Sequence, residues 1–189
     1  MEFNKHYNLK DKHAFLSPSQ YHWINYSQEK LADRWRSNKA KEFGVAMHAL
    51  ACDCIKLGVG LSDIKTTVNM YVNDALYFGM TPEQPLYYSP YCFGTADAIS
   101  FSTVDGEAKP VLRIHDLKTG TVPASMNQLY IYAAIFCLEY GVRPEDIKIV
   151  LRIYQNEQIM EDIANPSHIS EIIEKIIEFD AVLMELENR

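Results

Sequence analysis

A carboxylate and an ammonium stand two residues apart at the end of an apolar run, as Asp116 and Lys118 within residues 114–120. Successive side chains of a β-strand point to opposite faces, so these two charged groups share one face of the predicted strand. Leaving opposite charges on a largely apolar strand is costly unless the charges bind something. A divalent cation together with a phosphate is the ligand pair that we expect there.

Further polar side chains occur at spacings that could complete such a site. Asp97 lies in the middle of the preceding predicted strand, where it is disfavoured unless paired, and a hairpin would set it across from Asp116. His48 follows Gly44 by four residues on a predicted helix, so the two share a face. Gln128 and Tyr132 have the same spacing on a later helix. A lone helical histidine also fits a purely structural role.

The composition is that of a globular protein of 189 residues with a formal net charge of −7. Residues 1–60 hold nine cationic residues against six acidic ones, whereas residues 156–189 hold two against nine. A basic strip around Trp35 remains available to a polyanion, or is a solvated link between helices. It consists of Arg34, Arg36, Lys39 and Lys41. Four cysteines without metal-site spacing, no signal peptide and no membrane-spanning run favour free thiols and a cytoplasmic protein.

Apolar periodicity, capping residues and turn signals predict helices first and a sheet afterwards. The predicted elements are helices over 17–28, 38–57 and 62–78, strands over 84–91, 93–104 and 111–118, a helix over 123–140, a strand over 146–154 and a helix from residue 167 onward. This ααα-βββ-α-β-α order predicts one α/β domain over residues 1–189. The last helix carries a continuous apolar stripe that either packs onto the domain or docks a partner or a second copy.

The ordered motifs resemble the PD-(D/E)xK nuclease superfamily, and within it the RecB-like branch. Residues 16–19 (Leu-Ser-Pro-Ser), the Gly-x-x-x-His at 44–48 and the Asp-Leu-Lys-Thr-Gly at 116–120 are similar to small phage-encoded RecB-like proteins. The resemblance covers about residues 15–155, and residues 156–189 form an acidic amphipathic helix. The resemblance implies a restriction-endonuclease-like core, with a mixed sheet of four to five strands flanked by helices. Alanine precedes Asp97 where the superfamily name has proline, as is common in this branch.

The resemblance also implies roles for individual residues. Asp97 and Asp116 would bind the metal through carboxylate oxygens, the backbone carbonyl of Leu117 would be a further ligand, and His48 would supply a nitrogen. Mg²⁺ or Mn²⁺ would suit these donors. Lys118 would orient the attacking water or stabilise developing charge. Gln128 and Tyr132 would hold the DNA strand or support the site. The cysteine trio of iron–sulfur relatives is missing, so no cluster is expected, and His115 on the opposite strand face should not be a ligand.

The expected activity is metal-dependent hydrolysis of phosphodiester bonds in DNA, with degradation from free ends favoured over site-specific cutting, because one domain shows no separate module for reading bases. Such an exonuclease would belong to a phage or bacterial recombination or repair system and would use the basic strip, Gln128 and Tyr132 on DNA. The alternative is a non-catalytic DNA-binding or assembly subunit of the same fold. It would dock a single-strand annealing protein or another recombination partner. An oligomer is left open, and no membrane association is expected.

Overall fold

The computed structural model describes residues 4–188, and their contacts divide the chain into two compact units, the first ending at residue 43 and the second beginning at residue 44. The boundary falls inside the first long helix, α1 (Gln28–Leu57). This helix begins ten residues before the predicted start at residue 38. None of the helices formed by the described residues is both long and apolar enough to cross a membrane.

The first unit contains two short 3-10 helices, Tyr7–Leu9 and Pro18–Asn25, before α1 begins. The α-helix predicted over residues 17–28 is therefore wrong in type. Ser17 does not cap the backbone, because its hydroxyl bonds that of Ser19 at 2.8 Å. The carbonyl of Ser17 accepts both the backbone N–H of Gln20 at 3.0 Å and the indole N–H of Trp23 at 2.9 Å. These local bonds favour the tighter turn over an α-helix.

The second unit is an α/β structure built on one five-stranded mixed sheet, in the strand order β1-β2-β3-β4-β5. The pairings are antiparallel except for β3 and β4, which run parallel and are connected through α3. The elements are α2 (Thr67–Tyr77), β1 (Thr81–Ser89), β2 (Cys92–Ser102), β3 (Val111–Leu117), α3 (Asn127–Tyr140), a 3-10 turn (Pro144–Asp146), β4 (Lys148–Gln155), β5 (Gln158–Ile163) and α4 (Pro166–Glu187). The predicted fold class is confirmed, and the restriction-endonuclease-like core stays a prediction.

Helices cover both faces of the sheet, because β3 and β4 carry apolar side chains on both sides. On one face Leu112 and Ile114 of β3 pack in a cluster with Leu129 of α3 and Ile169 of α4. On the other face, α2 and the part of α1 after residue 44 contribute to a second cluster. That cluster contains Ala51, Ile55, Val72, Ala75, Ala98, Leu117 and Tyr154. The sheet thus holds the end of β3 between two helical layers.

Three local predictions were wrong or incomplete. Strand β5 was missed because its residues are mostly exposed and follow no alternation, and because its two-residue turn uses Asn156 and Glu157 at φ 51° and 59° without glycine. Helix α2 is capped by Thr66, not Ser62, since the Thr66 hydroxyl accepts the backbone N–H of Asn69 at 3.4 Å. Helix α4 is capped two residues earlier than predicted, by Asn165 instead of Ser167.

Helix α4 divides its apolar stripe between the domain and the surface. Ile169 is fully buried, and Ile172 and Ile176 pack against the core. Asp180 is buried where the hydroxyl of Ser89 donates a hydrogen bond to it. The apolar side chains of the last two turns, from Phe179 to Leu186, are exposed. The first half of the stripe therefore packs onto the domain, as one of the two alternatives stated.

Candidate active site

Asp97 and Asp116 lie side by side on adjacent antiparallel strands. The β2–β3 register pairs Ala98 with His115, so the next positions along the two strands are Asp97 and Asp116. Oδ2 of Asp97 also accepts the backbone N–H of Leu117 at 2.9 Å. The predicted placement of one acid across from the other is what the structure shows.

This placement raises the pKa of both acids. Burial raises the pKa of Asp97 to about 6, the negative charge of Asp116 adds to that rise, and the Leu117 N–H opposes it. Burial likewise raises the pKa of Asp116, against the lowering effect of the Lys118 ammonium. Two neighbouring buried carboxylates repel each other when both are ionised. A bound cation removes that repulsion and favours the ionised forms. The pair is therefore suited to a divalent ion.

Glu83 of β1 joins Asp97 from the other side, although no motif in the sequence predicted a role for it. The β1–β2 register pairs Gln84 with Ala96, which sets Glu83 opposite Asp97. Ligand atoms of His48, Glu83 and Asp97 all lie within 4.8 Å of one another. Nδ1 of His48 is 3.5 Å from Oδ2 of Asp97. These three residues form the group that could hold a metal ion among residues 4–188.

Asp116 is not part of that three-residue group, although it lies next to Asp97. Its side chain is 3% exposed, and its Oδ2 makes no directed hydrogen bond, although the Lys118 ammonium lies 3.0 Å away. The ammonium compensates the charge of this oxygen, which nevertheless has no hydrogen bond of good geometry and so keeps a lone pair available to a cation. The unsatisfied oxygen and the nearby nitrogen and oxygen donors of His48, Glu83 and Asp97 fit a hard divalent cation.

Lys118 connects Asp116 to helix α3. Its ammonium donates hydrogen bonds of 3.0 Å to Oδ1 of Asp116 and 3.0 Å to Oε1 of Gln128. The Gln128 amide lies 3.4 Å from the hydroxyl of Tyr132, and that hydroxyl donates to the carbonyl of Thr95 at 2.7 Å. One chain of hydrogen bonds thus runs from β3 through α3 to β2 and orients the ammonium.

Two glycines allow elements to approach closely around this chain. A Cβ on Gly94 would lie 2.9 Å from Cε1 of the Tyr132 ring, and one on Gly44 would lie 2.8 Å from the hydroxyl oxygen of Thr119. Gly44, predicted from its spacing to leave room for another segment or a ligand beside His48, makes room for Thr119 in the segment after β3. Gly94 was not identified, because only the packing of α3 against β2 reveals the need for it.

Leu117, the basic strip and the cysteines were also singled out in the sequence. Leu117 is buried and contributes its N–H to Asp97, and its carbonyl as a ligand stays a prediction. The basic strip belongs to the first unit, on α1. Within it Arg36 is paired with Asp33 at 2.8 Å and Lys39 with Glu42 at 2.6 Å. The four cysteines are free thiols.

His115 lies on the other face of β3, away from the carboxylates, as the strand alternation predicted. Its Nδ1 is 3.2 Å from the Tyr154 hydroxyl, and Phe78 packs edge-on against its ring. Burial lowers the pKa of His115 to about 3, with the charges of Arg152 and Arg113 acting in the same direction. The imidazole is therefore neutral in the folded protein.

We expect this buried neutral histidine to make the protein acid-sensitive. The unfolded chain protonates His115 near its ordinary pKa of 6.5 while the folded protein does not, so its contribution to stability is complete above pH 6.5 and falls as the pH falls towards 3. Between pH 7 and pH 5 the loss should be about 2 kcal/mol of unfolding free energy.

Urea unfolding of wild type and His115→Leu at the two pH values measures this effect. The variant should lose about 2 kcal/mol less than wild type on acidification, whatever its stability at pH 7. Equal losses in the two proteins would assign the acid sensitivity to other groups. His168→Leu, which changes an exposed histidine of α4, serves as the control.

Comparison of the chain with protein-family models, with curated proteins and with solved structures gives no match in any of the three. The arrangement of side chains around Asp97 and Asp116 is therefore what any functional assignment must rest on.

Proposed function

We propose that the protein is a Mg²⁺- or Mn²⁺-dependent deoxyribonuclease that hydrolyses phosphodiester bonds, acting from free ends in DNA recombination or repair. The observation that carries this proposal is the cluster of His48, Glu83, Asp97 and Asp116 beside a single ammonium, that of Lys118. Acidic and imidazole donors next to an oriented cation are what metal-assisted attack on a phosphodiester requires.

Some residues of the site would bind the cation, and others would orient the reacting groups. His48, Glu83 and Asp97, with Asp116 beside them, would hold the cation. A divalent cation in this position would supply Lewis acidity toward the phosphate and lower the pKa of a nearby water.

Lys118 places its positive charge at the edge of this cluster, held there by Asp116 and Gln128. An ammonium in that position can hydrogen-bond a phosphate oxygen or an attacking water. The side chain is 32% exposed, so a substrate can reach it. The Tyr132 hydroxyl donates to the Thr95 carbonyl and keeps Gln128 in position. In this proposal Tyr132 is not the base that accepts a proton from the attacking water.

An assay with end-labelled linear and closed circular DNA tests the proposal. We expect loss of the linear substrate in Mg²⁺ or Mn²⁺, no loss in EDTA, and protection of the circle. Cutting of the circle would replace the exonuclease by an endonuclease. No hydrolysis of either substrate with either metal would favour the non-catalytic assembly subunit. The exposed apolar side chains between Phe179 and Leu186 support that alternative, because they could contact a partner.

We expect His48→Ala to raise the metal requirement rather than to abolish activity. Three carboxylates remain near the ion, but the nitrogen donor is lost. Second-shell changes already weaken metal affinity about 10–100-fold, so removing a direct ligand should raise the half-saturating Mn²⁺ concentration by at least about tenfold. A Mn²⁺ titration of the hydrolysis rate measures this, with His168→Ala as control. An unaltered titration would leave His48 with a structural role.

A further inference from the structure

A separate cavity lies entirely within the first unit, between the segment around residues 13–26 and the α1 residues 31–42. Its volume is about 670 Å³, inside the range of roughly 300–1,000 Å³ that is usual for sites of small organic ligands. We name it the aromatic cavity, after the four rings that line it. They are Phe15, Trp23, Tyr26 and Trp35.

Contacts inside the unit hold these rings in place. The Trp23 indole N–H donates to the Ser17 carbonyl at 2.9 Å. Phe15 meets Trp35 edge to face, with ring centroids 5.0 Å apart. Trp35 nevertheless keeps 46% of its surface exposed, which is unusual for so large an apolar side chain. The Lys39 ammonium lies 4.8 Å from the centroid of the Trp35 ring, and the Lys30 ammonium lies 4.4 Å from that of Tyr26. A planar group would therefore stack on the aromatic surface that these cations leave open, with positive charge beside it.

The charges around the aromatic cavity are mainly positive. Residues 4–43 hold eight Lys and Arg against four Asp and Glu, whereas residues 44–189 hold ten against twenty. Arg34 and Lys41 line the cavity, and within the described part of the first unit neither has a carboxylate within 4.0 Å. Glu42 also lines it, but its oxygens are engaged by Lys39 at 2.6 Å and by Asn38 at 2.9 Å.

Exposed aromatic rings beside unpaired cations are the combination that binds single-stranded nucleic acid, with bases stacked on the rings and phosphates near the cations. A base inside a duplex cannot reach rings set in a cavity unless it leaves the stack. We propose that the aromatic cavity binds unpaired nucleotides of single-stranded DNA. This inference rests on the proposed function for the choice of DNA, and it makes a DNA end with an unpaired strand the preferred substrate.

The protein carries its own probe of this cavity, because its two tryptophans are Trp23 and Trp35. Oligo(dT) added to the full-length protein in EDTA, where hydrolysis is blocked, should quench the tryptophan emission with saturation. Stacked bases quench indole fluorescence, and raising the salt concentration should weaken the binding. A blunt duplex should quench far less at the same nucleotide concentration.

Matched variants on one helix locate the binding. Arg34→Ala should weaken oligo(dT) binding by roughly three- to tenfold. Lys56→Ala, at an exposed position in the last turn of α1 and outside both the basic strip and the cavity lining, should leave it unchanged. In Trp35→Phe, Trp23 alone should still report quenching, which shows that the unit remains folded.

Several outcomes would overturn the proposal. These are unchanged tryptophan emission at saturating oligo(dT), equal losses in Arg34→Ala and Lys56→Ala, equal quenching by the blunt duplex, and tighter binding of oligo(rU), which would assign the cavity to RNA. Asp116→Asn separates this proposal from the nuclease proposal. Oligo(dT) should quench the tryptophan emission of this variant as it does that of the wild-type protein, whether or not the wild-type protein hydrolyses DNA. The two proposals can therefore fail independently.

Discussion

Asp116→Asn is expected to abolish metal-dependent hydrolysis of linear DNA while leaving the metal-free protein no less stable at pH 7. Asp116 is 3% exposed, and its Oδ1 accepts a hydrogen bond from Lys118 at 3.0 Å while its Oδ2 accepts none. An amide of the same shape keeps the acceptor and therefore removes a metal donor and little packing. An end-labelled assay in Mn²⁺ measures activity, and urea unfolding in EDTA measures stability.

The stability part of this expectation follows from the pKa of Asp97. Burial and the neighbouring charge of Asp116 raise it to about 6, above the ordinary 3.8. A carboxyl group with a raised pKa costs stability above its folded pKa and costs nothing below its unfolded pKa. Removing the charge of Asp116 lowers the pKa of Asp97 and so relieves part of that cost at pH 7.

Two results would contradict the assignment of Asp116. Full hydrolysis by Asp116→Asn would remove it from the active site, and a large loss of stability in EDTA would show that the charge of Asp116 serves the fold and not a metal ion. Asp105→Asn is the matched control, since Asp105 is an exposed acid in the turn between β2 and β3. It should change neither activity nor stability.

Lys118→Ala is the second large effect. We expect hydrolysis to slow by roughly 10²–10³-fold with nearly unchanged Mn²⁺ dependence, because the ammonium orients a reacting group but does not bind the metal. The variant also frees Asp116 and Gln128 from their shared donor. The rate at saturating Mn²⁺ and the half-saturating Mn²⁺ concentration, measured together, separate the two roles.

Lys109→Ala controls for the loss of a lysine elsewhere, since its ammonium bonds the backbone of Glu145 and is exposed. If Lys118→Ala changed the metal requirement but not the rate at saturation, Lys118 would serve to position Asp116. Full activity in both respects would exclude Lys118 from the chemistry.

Part of this candidate site follows from short-range rules. Strand alternation puts Asp116 and Lys118 on one face and His115 on the other, and the turn at Asp105 and Gly106 makes β2 and β3 neighbours. Helical spacing sets Gln128 and Tyr132 together. These relations depend on residues close in sequence, or on one hairpin, so the sequence alone contains them.

Glu83 could not be predicted in the same way. It stands between two prolines in a segment with little strand alternation, and its own φ of 52° departs from a regular strand. Only the pairing of β1 with β2 brings it to Asp97 and His48. An acidic residue flanked by prolines next to a predicted strand was the one signal available, and it says nothing about register.

The sequence by itself determined the α/β class, the order of most elements, and the shared face of Asp116 and Lys118, because periodicity and turn chemistry act over a few residues. The tertiary structure decided the pairing of β4 with β5, the approach of α3 to Gly94, the ligand group around Glu83 and the aromatic cavity. The β4–β5 hairpin is local, but its turn has no glycine and its second strand has no alternation that would predict it. The other features depend on packing between separate segments of the chain, where local propensity carries no information about which side chains meet.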